Sequence, residues 1–254
     1  MNGVVAVMGP AFTKNTQALQ AVRAIAFDVQ GTCVDFYQPI LRMGQAVNRA
    51  KGLEIDWAAL SSEWRDLYRL ALDQVIAGHR PWLRVDRIYR EALDTLLERE
   101  GLSAVFTNVE RDEINQIWTR LDPWPDSVEG LARLRRRFVT STLSNAGMAA
   151  VVAVIKHAAL PFDAVLTAEL AHSYKPSPAV YQLAVDYLGY RPDEILMVAC
   201  QKYDLKAARA FGMRAAFVAR ALEFGPGATP DTAPEIWFDI CTDSFVELAC
   251  ALGV

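Results

Sequence analysis

Cysteine is scarce in this chain of 254 residues: Cys33, Cys200, Cys241 and Cys250 are the four, and no two have CxxC spacing. That argues against a disulfide scaffold, which a chain able to bury a large core does not need, and points to a reducing cytoplasm. Histidine is scarcer still. His79, His157 and His172 stand apart, without an acid, His or Cys at ligand spacing, so no metal site is read from them. Excess positive charge is also missing: the net charge is −4 and the pI about 5.5. That leaves no basic field for nucleic acid and no polybasic membrane signal, so a small molecule is the expected partner. No apolar run approaches the ~20 residues of a membrane span, and there is no internal repeat or low-complexity tract. Val4 to Met8 is apolar but lacks a basic segment before it and a small-residue cleavage pattern after it. Residues 1–20 are therefore expected to be a flexible N-terminal extension.

What is present is organised around AIAFDVQGTCVDF, Ala24 to Phe36. Its apolar start is too short for a helix and suits a buried central strand. The strand ends at Asp28, and Gly31-Thr32 forces a turn. A carboxylate is thus expected at the carboxyl end of a parallel strand, where open α/β sheets place their ligands.

From Pro39 to about Leu121 apolar residues recur at helical spacing, as in Trp57, Leu60, Trp64, Leu67, Tyr68 and Ala71, and again in Ile88, Ala92, Leu93, Leu96 and Leu97. Breaks at Gly52, Gly78 to Pro81, Gly101 and Pro123 predict about four helices. After Pro125 helices and strands alternate: helix 127–137, strand 138–143, helix 148–159, strand 164–167, helix 178–188, strand 195–199, helix 205–211, strand 214–218, an extended piece near 236–238, and helix 245–252. Repeated βα units predict an α/β fold with a doubly wound, Rossmann-like parallel sheet. The expected domains are a core of residues 21–38 and 122–254 and an inserted helical cap of residues 39–121.

Four strand ends bring polar residues to one crevice: Asp28 to Thr32, Ser144-Asn145, Lys175 in SYKPSPAVY, and Asp204 closing VACQKYD. Asp28 reads as a nucleophilic carboxylate. Lys175 beside it would hold that carboxylate in line as an anion, and Ser144 and Asn145 at a helix start suit an anionic group. The order of these motifs, with the helical insert between the first and second, resembles the haloacid dehalogenase superfamily across about residues 22–220. Its detail is closest to the L-2-haloacid dehalogenase branch. The resemblance implies a hydrolase in which Asp28 attacks the carbon alpha to a substrate carboxylate, expels a halide and forms an ester that water cleaves. It implies that Arg65, preceded by Trp64 on the second helix of the insert, receives the halide, with Trp64 as an apolar wall. Ser144 would bind the carboxylate, Asn145 would help cradle the halide, Tyr181 would help position Lys175, and Asp204 would orient Lys175 or the hydrolytic water. Thr32 joins this catalytic set; Val29, Gln30 and Gln201 join the substrate contacts. A homodimer joined through the cap completes the expectation.

Phosphatases of the superfamily carry a second aspartate where Gln30 stands and hold magnesium with acids of a GDxxxD motif. Here that window reads Ala199-Cys200-Gln201-Lys202-Tyr203-Asp204. One acid is too few for a magnesium site, so neither metal nor other cofactor is expected. Departures from the dehalogenase branch are Gln30 for an aromatic residue, Ala199 for serine and Gln201 for asparagine or histidine. Opening of a strained cyclic amino acid at a carbon–nitrogen bond by the same aspartate is one alternative, a magnesium-dependent phosphatase a second, and a non-catalytic carboxylate-binding module a third. Cys33 and Cys200 read as small fillers near the pocket.

Overall fold

Four apolar residues without a polar break, Ala24–Phe27, form a strand in which every side chain is buried. Such a run requires a parallel neighbour on each side and helices over both faces. The computed structural model, which describes residues 12–13 and 19–254, supplies both. This strand is β2. The others are β1 (Phe12–Thr13), β3 (Val34–Asp35), β4 (Asp122–Pro123), β5 (Val139–Thr142), β6 (Ile195–Ala199), β7 (Arg214–Val218) and β8 (Ile240–Thr242). Six of them form one sheet in the order β1-β8-β7-β6-β2-β5, parallel except for β1. A separate antiparallel pair joins β3 and β4. From β2 the chain re-enters the sheet at β5 on one side and then crosses to β6 on the other. The winding therefore reverses at β2 and leaves a crevice beyond its carboxyl end.

Helices α5 (Ser127–Leu134), α6 (Met148–His157), α7 (Pro178–Leu188), α8 (Lys202–Phe211) and α9 (Phe245–Ala251) follow the strands. The two-residue period of β2 divides them. Ile25 and Phe27 pack with Leu131, Val151 and Leu248 of α5, α6 and α9, whereas Ala24 and Ala26 pack with Val180, Leu205 and Ala208 of α7 and α8. The fold is a doubly wound, mostly parallel α/β sheet with a helical cap.

The cap lies between β3 and β4 and holds α1 (Tyr37–Lys51), α2 (Trp57–Ile76), α3 (Val85–Arg99) and α4 (Asn108–Asn115). Asp56 caps α2 by accepting from the Ala58 and Ala59 amides, and Thr107 with Glu110 forms a capping box on α4. The breaks fall at the predicted glycines. Helix α1 starts two residues before Pro39, which its first turn tolerates because an amide hydrogen there has no helical partner.

Other boundaries differ from expectation. Phe12–Thr13, expected within a flexible extension, is an edge strand paired with Cys241 and Ile240; Val4 to Met8 lies outside the described residues. The strand expected at 164–167 is reduced to single bridges from Ala164 to Ser141 and from Thr167 to Ser144. Between them the Thr142 hydroxyl bonds both the amide and the carbonyl of Leu166, taking the place of ladder bonds. Residues 236–238 are not a strand; pairing resumes at β8, after the Asp239 carboxylate accepts the Ala215 amide. No helix among the described residues is long and apolar enough to cross a membrane.

Candidate active site

Asp28 extends β2 by one rung, donating its amide to the Val198 carbonyl at 3.0 Å. The chain then turns at Gly31, with φ +87°, where a Cβ would stand 2.4 Å from Glu223 Oε1; glycine is required by both conformation and space. The carbonyls of this turn are each held by a side chain. Trp124 Nε1 donates to Gly31 O at 2.8 Å, Arg220 Nε to Thr32 O at 2.9 Å and Ser127 Oγ to Cys33 O at 2.7 Å. Arg220 is itself forked onto Asp126 at 2.7 and 3.0 Å.

Both oxygens of the Asp28 carboxylate have a donor: Lys175 Nζ at 2.8 Å on Oδ1 and Thr32 Oγ1 at 2.8 Å on Oδ2. Lys175 Nζ also donates to Asp204 Oδ2, and Tyr181 donates to Asp204 Oδ1 at 2.7 Å. Tyr181 thus reaches Lys175 through Asp204, not directly. Asp204 is fully buried with both oxygens engaged, so it orients the lysine and does not face the cavity. Burial alone would strip Lys175 of its proton; the Asp204 and Asp28 carboxylates outweigh it and hold the ammonium protonated far above its ordinary range. The Lys175 amide is fixed in turn by Asn145 Oδ1 at 2.7 Å.

From the cap, α2 directs Arg65 at the same place. Its Nη1 donates to the Tyr89 hydroxyl at 2.5 Å and Gln30 Oε1 at 3.3 Å, and the guanidinium lies over the Phe36 and Tyr68 rings. Tyr89 donates to Gln30 Oε1 at 2.9 Å. Its ring is sandwiched between Tyr68 (4.5 Å, 11°) and Trp118 (3.9 Å, 12°), which fixes its hydroxyl. Trp64 stands edge-on to both Tyr89 and Trp118 and donates to the Tyr89 carbonyl at 2.7 Å. It is therefore a support behind the cavity and not the predicted wall, because neighbouring helix positions point in different directions.

Asp28, Gln30, Arg65, Ser144, Asn145 and Gln201 converge on one cavity of about 20 Å³, room for one water molecule. Tyr68, Ala146 and Tyr203 complete its lining. Thr32, Lys175, Tyr181 and Asp204 stand behind Asp28. Val29, expected among the substrate contacts, is wholly buried in the core and lines no part of the cavity. The sequence marked Tyr68 only as one of an apolar helical stripe and Tyr203 only as part of the VACQKYD window, and nothing in it marked Tyr89, Arg220 or Glu223.

Glu223 lies beside this cluster, almost wholly buried, and accepts from Gln201 Nε2 at 2.6 Å. Burial raises its carboxyl above the ordinary range, against the opposing pull of Arg65. Cys33 and Cys200 are buried thiols pushed well above their ordinary range, chiefly by burial, and fit the filler reading. The donor set does not fit a divalent cation. The cation facing both Asp28 and Asp204 is the Lys175 ammonium, and the other polar groups at the cavity are the Arg65 guanidinium, side-chain amides and hydroxyls.

A family model described as haloacid dehalogenase-like hydrolase matches residues 22–212. The (S)-2-haloacid dehalogenase of Xanthobacter autotrophicus is 30% identical over 78% of this chain and 76% of its own. The crystal structure of L-2-haloacid dehalogenase PA0810 is similar at 38% identity, covering 91% of this chain and 98% of that one, with a TM-score of 0.87. The structure of the L-2-haloacid dehalogenase from Xanthobacter autotrophicus with chloropropionic acid covalently bound has 25% identity, covers 90% and 97% of the two chains, and superposes with a TM-score of 0.76.

Proposed function

The chain belongs to the haloacid dehalogenase-like hydrolases, and we propose that it replaces the halogen of a short 2-haloalkanoic acid by hydroxyl through an ester on Asp28. The observation that carries this reading is the Asp28 carboxylate, clamped by Lys175 and Thr32 at the sheet's carboxyl edge and covered by Arg65 from the cap. Asp28 attacks the carbon bearing the halogen, and the halide leaves toward Arg65 on the cap side. Ser144, just before α6, receives the substrate carboxylate, and Asn145 helps cradle the halide. Water then attacks the Asp28 carbonyl carbon and releases the 2-hydroxy acid. The covalent adduct described for the Xanthobacter structure supports the ester route.

Residues 39–121 are assigned as the cap and residues 21–38 with 122–254 as the hydrolase core; α2 to α4 and all but the first two residues of α1 fall within the former. A homodimer through the cap and a cytoplasmic location belong to the same reading. Leu70 and Ile76, exposed on α2, support the first.

The test is halide release from a panel of fluoro-, chloro- and bromo-substituted acetic and propionic acids. Release with 2-hydroxy acid formation, unchanged by a chelator and abolished in folded Asp28→Asn, is the expected result. Full activity in Asp28→Asn, once regeneration of aspartate by deamidation is excluded by mass, or dependence on added magnesium, overturns it.

A further inference from the structure

We propose that Glu223 is a positioning residue for the second half of this reaction: it fixes the Gln201 amide so that its carbonyl oxygen holds the water that hydrolyses the ester on Asp28. The inference rests on the ester reading above.

Glu223 Oε1 lies 2.6 Å from Gln201 Nε2, and the Cys200 thiol donates to its Oε2 at 3.6 Å. At that contact the Gln201 NH2 is the donor and the Glu223 carboxyl oxygen the acceptor. The Gln201 carbonyl oxygen then faces the other way, 3.4 Å from the Thr32 hydroxyl. That hydroxyl gives its one hydrogen to Asp28 Oδ2 at 2.8 Å, so Gln201 Oε1 sits beside the carboxylate with its acceptor capacity open.

The other amide oxygens around the cavity already accept hydrogen bonds. Gln30 Oε1 accepts from both Tyr89 and Arg65, and Asn145 Oδ1 accepts the Lys175 amide. Asp204, expected to orient either Lys175 or the water, has both oxygens engaged by Lys175 and Tyr181 and is fully buried. A water at the Asp28 carbonyl carbon therefore meets Gln201 Oε1 as its amide acceptor.

The anchor is rigid. Glu223 lies on the turn after β7 that also carries Arg220, which is bound to Asp126 and to Thr32 O, and its carboxylate occupies the space that a Cβ on Gly31 would need. The carboxylate thus touches the turn that carries the nucleophile and the amide opposite it.

In the step itself the water oxygen bonds to Asp28 Cγ and the bond from Cγ to the substrate oxygen breaks. One water proton goes to that departing oxygen, giving the hydroxy acid, and the other is lost to solvent as the Asp28 carboxylate re-forms. Gln201 takes no proton; it orients the water.

The experiment mixes the parent, Glu223→Ala and Glu223→Gln with 2-chloropropionate, quenches on a millisecond series and follows chloride and the intact mass of the protein. In Glu223→Ala adduct formation with its chloride burst should stay within about twofold of the parent, while adduct decay slows about tenfold or more, so that esterified protein accumulates. Glu223→Gln keeps an oxygen able to accept from Gln201 and should recover most of the decay rate. A loss of packing alone would slow both steps or neither. Unchanged decay in both variants, or equal slowing of both steps, overturns the role of Glu223. Absence of any adduct in the parent while chloride is released overturns the ester reading beneath it.

Discussion

At the scale of single residues, two cations, Arg65 and Lys175, reach the cavity region from different parts of the fold. Lys175 rises from the core onto Asp28, whereas Arg65 comes from the cap, held by Tyr89 and Gln30. Removing one charged stabiliser of a developing anion in a small, mostly enclosed cavity costs about 3 kcal/mol, roughly a hundredfold in rate. Arg65→Ala should therefore slow halide release by that factor, with bromide suffering less than chloride. Arg65→Lys should recover only part, having lost the planar fork. Pre-steady-state halide bursts on matched substrates measure this; equal slowing for all leaving groups would make Arg65 a structural residue of the cap. A second pair acts on stability. Burial opposes ionisation of Asp126, but Arg220 prevails and holds its carboxyl below the ordinary range. The folded chain keeps this carboxylate ionised where the unfolded chain has begun to take up a proton. Its contribution is complete above about pH 4 and is lost as pH falls through the lowered native value. Asp126→Ala should cost about 3 kcal/mol near neutral pH by stranding Arg220. It should also flatten the acid limb of a denaturant-midpoint series, and an acid limb as steep as the parent's would count against the pair.

At the scale of elements, periodicity and punctuation placed most helices within a few residues, because Gly52, Gly78 and Gly101 end them in a conformation that other residues resist. Misplaced ends have local causes that no period reveals. Helix α8 begins at Lys202, three residues before its predicted start, directly after Gln201. The Gln201 side chain does not cap that helix; its NH2 is drawn to Glu223, a partner 22 residues away, and its oxygen faces Thr32. Packing between helices is equally silent in sequence. At Gly130 of α5 a Cβ would lie 2.3 Å from Phe245 Cβ and 2.6 Å from the Phe245 carbonyl carbon. Since that neighbour is backbone, Gly130→Ala must push α5 and α9 apart. It should cost about 2 kcal/mol, lowering Tm by about 6 °C. A melt within a degree of the parent's would show that the two helices yield freely.

At the scale of the whole molecule, cap and core are joined by one apolar cluster. Phe27, Val29 and Phe36 of the core segments are contiguous with Trp64, Tyr89 and Trp118 of the cap. Across the same seam Tyr89 and Arg65 bond Gln30, and Tyr174 bonds the Leu83 carbonyl. A seam of this kind should make the two parts unfold together. Tryptophan emission, dominated by Trp57, Trp64, Trp82 and Trp118 of the cap, should change at the same urea concentration as far-ultraviolet ellipticity. Two separated transitions would mean that the cap is an independent folding unit.

The chain's own order of residues determined the α/β winding, the position of the helical insert and the gathering of Asp28, Ser144, Asn145 and Lys175 at one sheet edge. Each follows from a local rule: apolar run lengths, helical periodicity, turn residues, and the fact that parallel strands all end on one edge. Only tertiary structure decided that Asp204 is sealed behind Lys175, that Val29 and Trp64 face away from the cavity, and that Tyr68, Tyr203 and Glu223 belong at or beside it. The physical reason is that a side chain's direction and its partner for hydrogen bonding depend on residues brought near by the crossovers, tens to more than a hundred positions away, and no period or spacing records them.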